Sequence, residues 1–269
     1  QTLFRAPFAL GHEFVGEIVA TSEDLASEYK AGAKVAVAFQ VACGSCGECD
    51  RGHSNACASI SGFHDYGMGG GGKVFGGALS DIVHVPYAKH MLLPLPADTD
   101  LVAVASLSDN IAEAWKLAGF YLEKEPGTPV LVMGGLASSI GLYTTALARA
   151  MGSEVLYLDN DKTRIALAES FGAQVEEIKE IPKAWQKRYP LVAECSGVEA
   201  GFRFCLKSVA PFGTVSAASV YWTNDYSIPY LELYNIGAVI RIGRVDSREM
   251  MPKVLEFIQK GKFPVAKVV

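Results

Sequence analysis

The chain has 269 residues, half of them hydrophobic, with 24 basic and 29 acidic residues and a formal charge of -5. That length is enough for two domains with cores of their own and no disulfide staples, and the acidic balance without a basic block excludes a nucleic-acid-tracking surface. No apolar run is long enough to cross a bilayer and Gln1 opens on no charged-then-apolar leader, so no membrane partner and a reducing, cytoplasmic setting are expected.

Up to about Pro96 the pattern is that of a β-rich domain, with strands predicted at "EFVGEIVA", "KVAVAF" and "SDIVHVPYA" between turns rich in Gly and Pro. The first chemistry-bearing stretch is "LGHEFVG". His12 can offer an imidazole to a metal with the Glu13 carboxylate close behind it, or it is a hydrogen-bonded core histidine. Next comes "CGSCGECDRGHSNAC", with Cys43, Cys46, Cys49 and Cys57 in fifteen residues and Gly44, Gly47 and Gly52 to let the backbone coil. Four sulfurs turned toward one point suit Zn2+ in a closed tetrahedron. The competing disulfide reading belongs to small secreted domains. With every position filled by sulfur, such a site holds a loop in shape and catalyses nothing. "GMGGGG" at 67–72 reads as a flexible surface loop or a loop along a cleft, and His64 and Asp65 of "GFHDYG" as part of a turn or a cleft wall. In "SLSDNIAEAW", Asp109 is suited by its own type to cap a helix over 111–120.

From about Pro126 apolar strands alternate with helices: "PVLVMGG", "SIGLYTTALARAMG", "EVLYLDND", "KTRIALAESFG", "YPLVAECSG", "GTVSAASV" and "AVIRIGRV". That alternation predicts a doubly wound parallel sheet. The turn "GGLASSIG" leaves the first strand and opens a helix, so backbone amides around Gly134, Ser138, Ser139, Ile140 and Gly141 suit a pyrophosphate. Its spacing departs from G-x-G-x-x-G, with Ser138 where a glycine is expected. Asp159, at the tip of the next strand, can take the adenosine ribose hydroxyls or cap the helix that follows. A carboxylate there repels a 2'-phosphate and favours NAD over NADP, a preference softened by Lys162 and Arg164, and Arg164 is a second ribose candidate. Strand ends at Cys195–Gly197, including Ser196, and at Ala218 and Ser219 are expected to line the nicotinamide half. Cys195 and Cys205 are themselves read as small buried hydrophobes.

"GHEFVG", the cysteine lobe, "GALSDIVHVP", "SLSDNIAEAW" and the nucleotide-binding half follow one another in an order that resembles the zinc-dependent medium-chain alcohol dehydrogenases over essentially the whole chain. The resemblance implies α/β plus β architecture: a GroES-like β barrel, incomplete here, with the structural zinc lobe in residues 1–125, then a Rossmann NAD-binding domain in 126–269. It makes His12 a ligand of a catalytic zinc, Glu13 an exchangeable ligand or a group behind it, and Asp109 a further ligand. The implied reaction is hydride transfer between an alcohol, or its aldehyde or ketone, and NAD(P), with a small-molecule substrate and a homodimer or homotetramer. Departures are Glu113, where many members carry Thr, and the absence of the family's upstream cysteine ligand from the ten residues before Gly11. On that ground the chain is expected to be a fragment lacking N- and C-terminal segments. The alternative is a non-catalytic nucleotide-binding protein, or an inactive fragment, keeping only the lobe zinc. One zinc per chain in place of two distinguishes it.

Overall fold

A computed structural model describes residues 6–60, 62, 64–223 and 225–268. The chain divides into two compact units, one of Gln1–Ala112 with Val245–Glu256, the other of Glu113–Arg244 with Phe257–Val268. Among the described residues, no helix is long and apolar enough to cross a membrane.

In the first unit, β1 (Val15–Glu17), β2 (Lys34–Val37) and β3 (Leu92–Pro94) form an antiparallel sheet in the order β1-β2-β3, with Val15 opposite Ala36 and Val37 opposite Leu92. The sheet is open and not closed into a barrel among the described residues. β2 is central, and the run from Val35 to Phe39 is buried throughout, which a β-branched, aromatic and small-residue sequence accommodates on both faces.

Two expectations for this unit are corrected. "SDIVHVPYA" forms no strand; bends occupy 80–82 and a short helix runs Ala88–Met91. Among the described residues it joins neither sheet, and Ile82 is exposed. The glycine run 67–72 is not a flexible loop, because Gly69–Val74 is helical and Gly69, Gly71 and Gly72 are buried. The glycines allow backbones to touch. A Cβ on Gly71 would sit 2.1 Å from the Asp65 carbonyl oxygen, and one on Gly67 would sit 1.9 Å from that of Gly11. Gly71→Ala is therefore expected to lower stability by about 1–3 kcal/mol, measurable as a shifted denaturant midpoint at unchanged slope.

The second unit contains a six-stranded parallel sheet in the order β6-β5-β4-β7-β8-β9, comprising β4 (Val130–Met133), β5 (Val155–Asp159), β6 (Gln174–Glu177), β7 (Tyr189–Glu194), β8 (Val209–Ala217) and β9 (Val239–Arg241). This is the doubly wound order in which the chain reverses direction of growth between β4 and β7. β4 and β5 are buried along their whole length, as strands covered by helices on both faces must be. One core packs Leu131, Leu158, Val192, Phe202 and Phe204; the other packs Val130, Val132, Leu142, Tyr157 and Leu191. Cys195 and Cys205 are fully buried in these cores, where burial raises both thiols well above their usual range.

Candidate metal centres and nucleotide-binding turn

The cysteine loop brings Cys43, Cys46, Cys49 and Cys57 together, with all four sulfurs within 4.8 Å of one another. A one-turn helix at Gly47–Asp50 and positive φ at Gly44 (72°) and Gly52 (79°) curl the backbone around them. Cys46 Sγ lies 3.6 Å from Cys49 Sγ and 3.9 Å from Cys57 Sγ. Zn–S bonds of about 2.3 Å to the corners of a tetrahedron set sulfurs about 3.8 Å apart, so the donor set fits zinc. All six cysteines are free.

Backbone amides also aim at the sulfurs: Ser45 N donates to Cys43 Sγ, Ala58 N to Cys46 Sγ and Cys43 N to Cys57 Sγ, each at 3.4 Å. The Ser59 hydroxyl and the Ser45 amide bring the Cys43 thiol down to about 5. Amide hydrogen bonds from Cys49 and Ala58 bring Cys46 to about 7. Cys49 runs the other way, pushed up to about 12 by burial, and a cation at the centre of the cluster is what would hold it ionised.

A second cluster gathers His12, Glu13 and Asp109, whose donor atoms again lie within 4.8 Å of one another. His12 Nε2 is 3.0 Å from Asp109 Oδ2, across 97 positions of chain, and 3.7 Å from Glu13 Oε1. Donors on a tetrahedral zinc at about 2.0–2.2 Å stand about 3.4 Å apart, between those two distances. The three side chains are half-buried, so the cluster keeps an open side. Ser106, which nothing in the sequence singled out, donates its hydroxyl to the second oxygen of Glu13. The stretch before Asp109 is anchored in turn by the Ser247 hydroxyl, which donates to the Ser108 carbonyl.

The electrostatics of this cluster favour a cation. Burial, with the charge of Asp109 added, pushes Glu13 up to about 7 against the opposing pull of His12. The hydrogen bond to Asp109 raises His12 in spite of its burial, and Glu13 and Asp65 add to the effect. Asp65 is fully buried in this unit, and His64 nearly so.

In the second unit the turn after β4 is built by close approach. A Cβ on Gly134 would fall 2.3 Å from Asp159 Oδ2, and one on Gly135, whose φ is 150°, 2.6 Å from the Ser196 carbonyl. Leu136 N and Ala137 N donate to the carbonyls of Ser196 and Cys195, both at 3.1 Å. These bonds clamp the turn to the end of β7. The helix Ser138–Ala150 has no side-chain cap, so its first-turn amides at Ser138, Ser139 and Ile140 are the donors an anion could use. Gly141 N instead bonds the Ala137 carbonyl. Ser196 donates to Glu194 Oε1, and Gly197 N donates to the Ser219 hydroxyl at 2.8 Å, which ties β7 to the segment holding Ala218 and Ser219 beyond β8.

Asp159 does not cap the following helix. Asp161 does, accepting from Arg164 N at 2.9 Å. The Asp159 carboxylate is buried and accepts from Tyr157 Oη, from the amides of Asn160 and Asp161, and from Arg164 through both Nε (2.8 Å) and an Nη (2.7 Å). Burial alone would raise this carboxyl, yet the hydrogen bonds from Arg164, Tyr157 and Asp161 together hold it below its ordinary value. The other Nη of Arg164 lies 3.6 Å from Asp161, so its guanidinium is committed to two carboxylates.

Comparison with known proteins puts these sites in a family. Residues 2–97 match the alcohol dehydrogenase GroES-like domain and residues 139–260 the zinc-binding dehydrogenase domain. A Mycobacterium tuberculosis protein named "Probable zinc-binding alcohol dehydrogenase" is 28% identical over 97% of this chain and 67% of its own length. An L-threonine 3-dehydrogenase of Streptomyces avermitilis is 34% identical over 65% of this chain, which spans under half (47%) of that relative. The alcohol dehydrogenase of Thermus sp. ATN1 superposes with a TM-score of 0.83 at 27% identity, covering 96% of this chain and 75% of its own. Against the expected fragment lacking N- and C-terminal segments, both domains are matched, the first from residue 2 and the second to residue 260, while the chain spans 67% of the mycobacterial relative's own length. Both domains of one architecture are thus matched in their order along this chain, which belongs to the zinc-binding alcohol dehydrogenases, a family of NAD(P)-dependent oxidoreductases.

Proposed function

We propose that the protein transfers hydride between an alcohol, or the corresponding aldehyde or ketone, and NAD in preference to NADP, with His12, Glu13 and Asp109 holding a catalytic zinc. The observation that carries this reading is the 3.0 Å meeting of His12 and Asp109 from stretches 97 residues apart, with Glu13 beside them. Three protein donors are what a catalytic zinc site uses, leaving one position for a substrate oxygen.

When bound, zinc supplies the Lewis acidity that lowers an alcohol's pKa or polarises a carbonyl, and the nicotinamide supplies the hydride chemistry. The chain's own residues hold and orient. His12 and Asp109 fix one side of the ion's position, and Ser106 keeps one Glu13 oxygen occupied so that the other faces His12. The first turn of the helix Ser138–Ala150 offers its amides to the pyrophosphate, whereas those of Gly134, Leu136 and Ala137 are bonded to main-chain carbonyls, with Cys195, Ser196, Ala218 and Ser219 at the strand ends on the nicotinamide side.

Preference for NAD is supported by the Asp159 carboxylate at the end of β5 and by Arg164, whose Nε and one Nη are turned onto that carboxylate. A homodimer is supported by β9, an outer strand of the sheet, with Val239 and Ile242 exposed and Tyr230, Leu231 and Tyr234 exposed on the nearby helix Tyr230–Ile236.

The test is cofactor reduction over a panel of primary, secondary and polyol alcohols, read at 340 nm with each cofactor. Zinc-dependent reduction with a kcat/KM for NAD at least about tenfold above that for NADP is expected. No reduction of either cofactor across the panel by zinc-loaded protein would remove the catalytic reading.

A further inference from the structure

Lys116 sits inside the second unit with almost no exposure, one turn along from the equally buried Glu113. Its ammonium pairs with the Glu113 carboxylate and donates to two main-chain carbonyls, Ala217 at 3.1 Å and Gly243 at 2.5 Å. Three acceptors meet the three N–H groups of an ammonium. Ala217 is the last residue of β8, and Gly243 lies two residues beyond β9. The charge therefore holds together the carboxyl ends of two neighbouring strands.

The local backbone is unusual in the same place. The helix that starts at Asn110–Ala114 widens into a π-helical turn over Trp115–Gly119, a form frequent at functional sites. Gly119 makes room for the turn, since a Cβ there would lie 2.5 Å from the Trp115 ring. The Ser216 hydroxyl reaches the Lys116 carbonyl at 3.5 Å, so main chain and side chain of Lys116 both bind the end of β8.

In a doubly wound sheet the dinucleotide lies beyond the carboxyl ends of the strands, one half on each side of the switch point. The pyrophosphate turn follows β4 and Asp159 ends β5, so the adenosine half belongs to the β5 side and the nicotinamide half to β7, β8 and β9. We propose that the Lys116–Glu113 pair is a positioning device for the nicotinamide half of the cofactor: it sets the spacing of the β8 and β9 ends that this half enters. With all three donors used, Lys116 acts through the Ala217 and Gly243 carbonyls and does not contact the cofactor. This inference rests on the NAD(P)-binding reading.

The closing experiment separates the nicotinamide from the rest of the ligand. Wild type, Glu113→Gln and the double variant Glu113→Gln/Lys116→Met are titrated calorimetrically with NAD and ADP-ribose, and with NADP and 2'-phospho-ADP-ribose, alongside melting curves. The double variant removes both charges, so no unpaired ion is left buried. It is expected to bind ADP-ribose within about twofold of wild type and to lose at least about tenfold in NAD affinity. Glu113→Gln, which keeps the ammonium and its two carbonyl bonds, is expected to stay within about threefold for both ligands. Equal weakening of both ligands in the double variant, or unchanged NAD binding, makes the pair a staple of the fold only and overturns the proposal. Failure of wild type to bind any of the four ligands overturns instead the nucleotide-binding reading beneath it.

Discussion

His12→Ala is expected to cost the protein one zinc per chain and more than a hundredfold of its turnover, while the affinity for NAD stays within about twofold. Loss of a group that merely orients a ligand costs about 10–100-fold in metal affinity or activity, and loss of a direct donor should exceed that. The change also removes the imidazole that stands 3.0 Å from Asp109 and 3.7 Å from Glu13, leaving two carboxylates to face each other. The nucleotide turn and Asp159 belong to the other unit. Elemental analysis, steady-state kinetics and NAD titration on one preparation check all three expectations. Wild-type turnover in this variant would dismiss His12 from the chemistry.

Cys49→Ser is expected to act on the other metal and on stability. Cys49 is buried among three sulfurs and its thiol is pushed up by that burial, so a hydroxyl in its place is a poor donor that cannot ionise. The lobe zinc should be lost and the loop from Cys43 to Cys57 become open to proteolysis. Structural zinc contributes about 10–16 kcal/mol to the folding of small zinc domains. Losing even about 3 kcal/mol here would lower the melting temperature by about 6–12 °C in a protein of this size. The His12 cluster shares no residue with the lobe, so its zinc should remain. A variant that melts like wild type and keeps both zincs would contradict the four-sulfur assignment.

What could be read in the sequence was whatever is fixed by local spacing. Four cysteines within fifteen residues can close on one point whatever surrounds them, and they do. Continuous apolar runs such as "VLVM" and "VLYL" between turn signals fit strands covered on both faces, and they form interior strands of the parallel sheet. Spacing does not report convergence across the chain. The meeting of His12 with Asp109 followed from a resemblance, since on residue type alone Asp109 reads as a helix cap.

Misread segments share another cause. Gly67, Gly71 and Gly72 serve backbone contact, which composition cannot tell apart from flexibility. "SDIVHVPYA" alternates as a strand would, yet among the described residues it joins neither sheet. Lys116 and Ser106 carried no signal, because a lysine in a helix ordinarily faces water and a serine in a turn ordinarily has only local partners. Asp159 stood where expected, but its engagement by Arg164 and Tyr157 became visible only with the side chains in place.

The measurement that bears most directly on the central claim is anomalous diffraction at the zinc edge from crystals of the wild-type protein. Two peaks per chain are predicted, one enclosed by Cys43, Cys46, Cys49 and Cys57, the other within bonding distance of His12 Nε2 and an oxygen of Asp109. A single peak in the cysteine lobe, from protein saturated with zinc, would contradict the account.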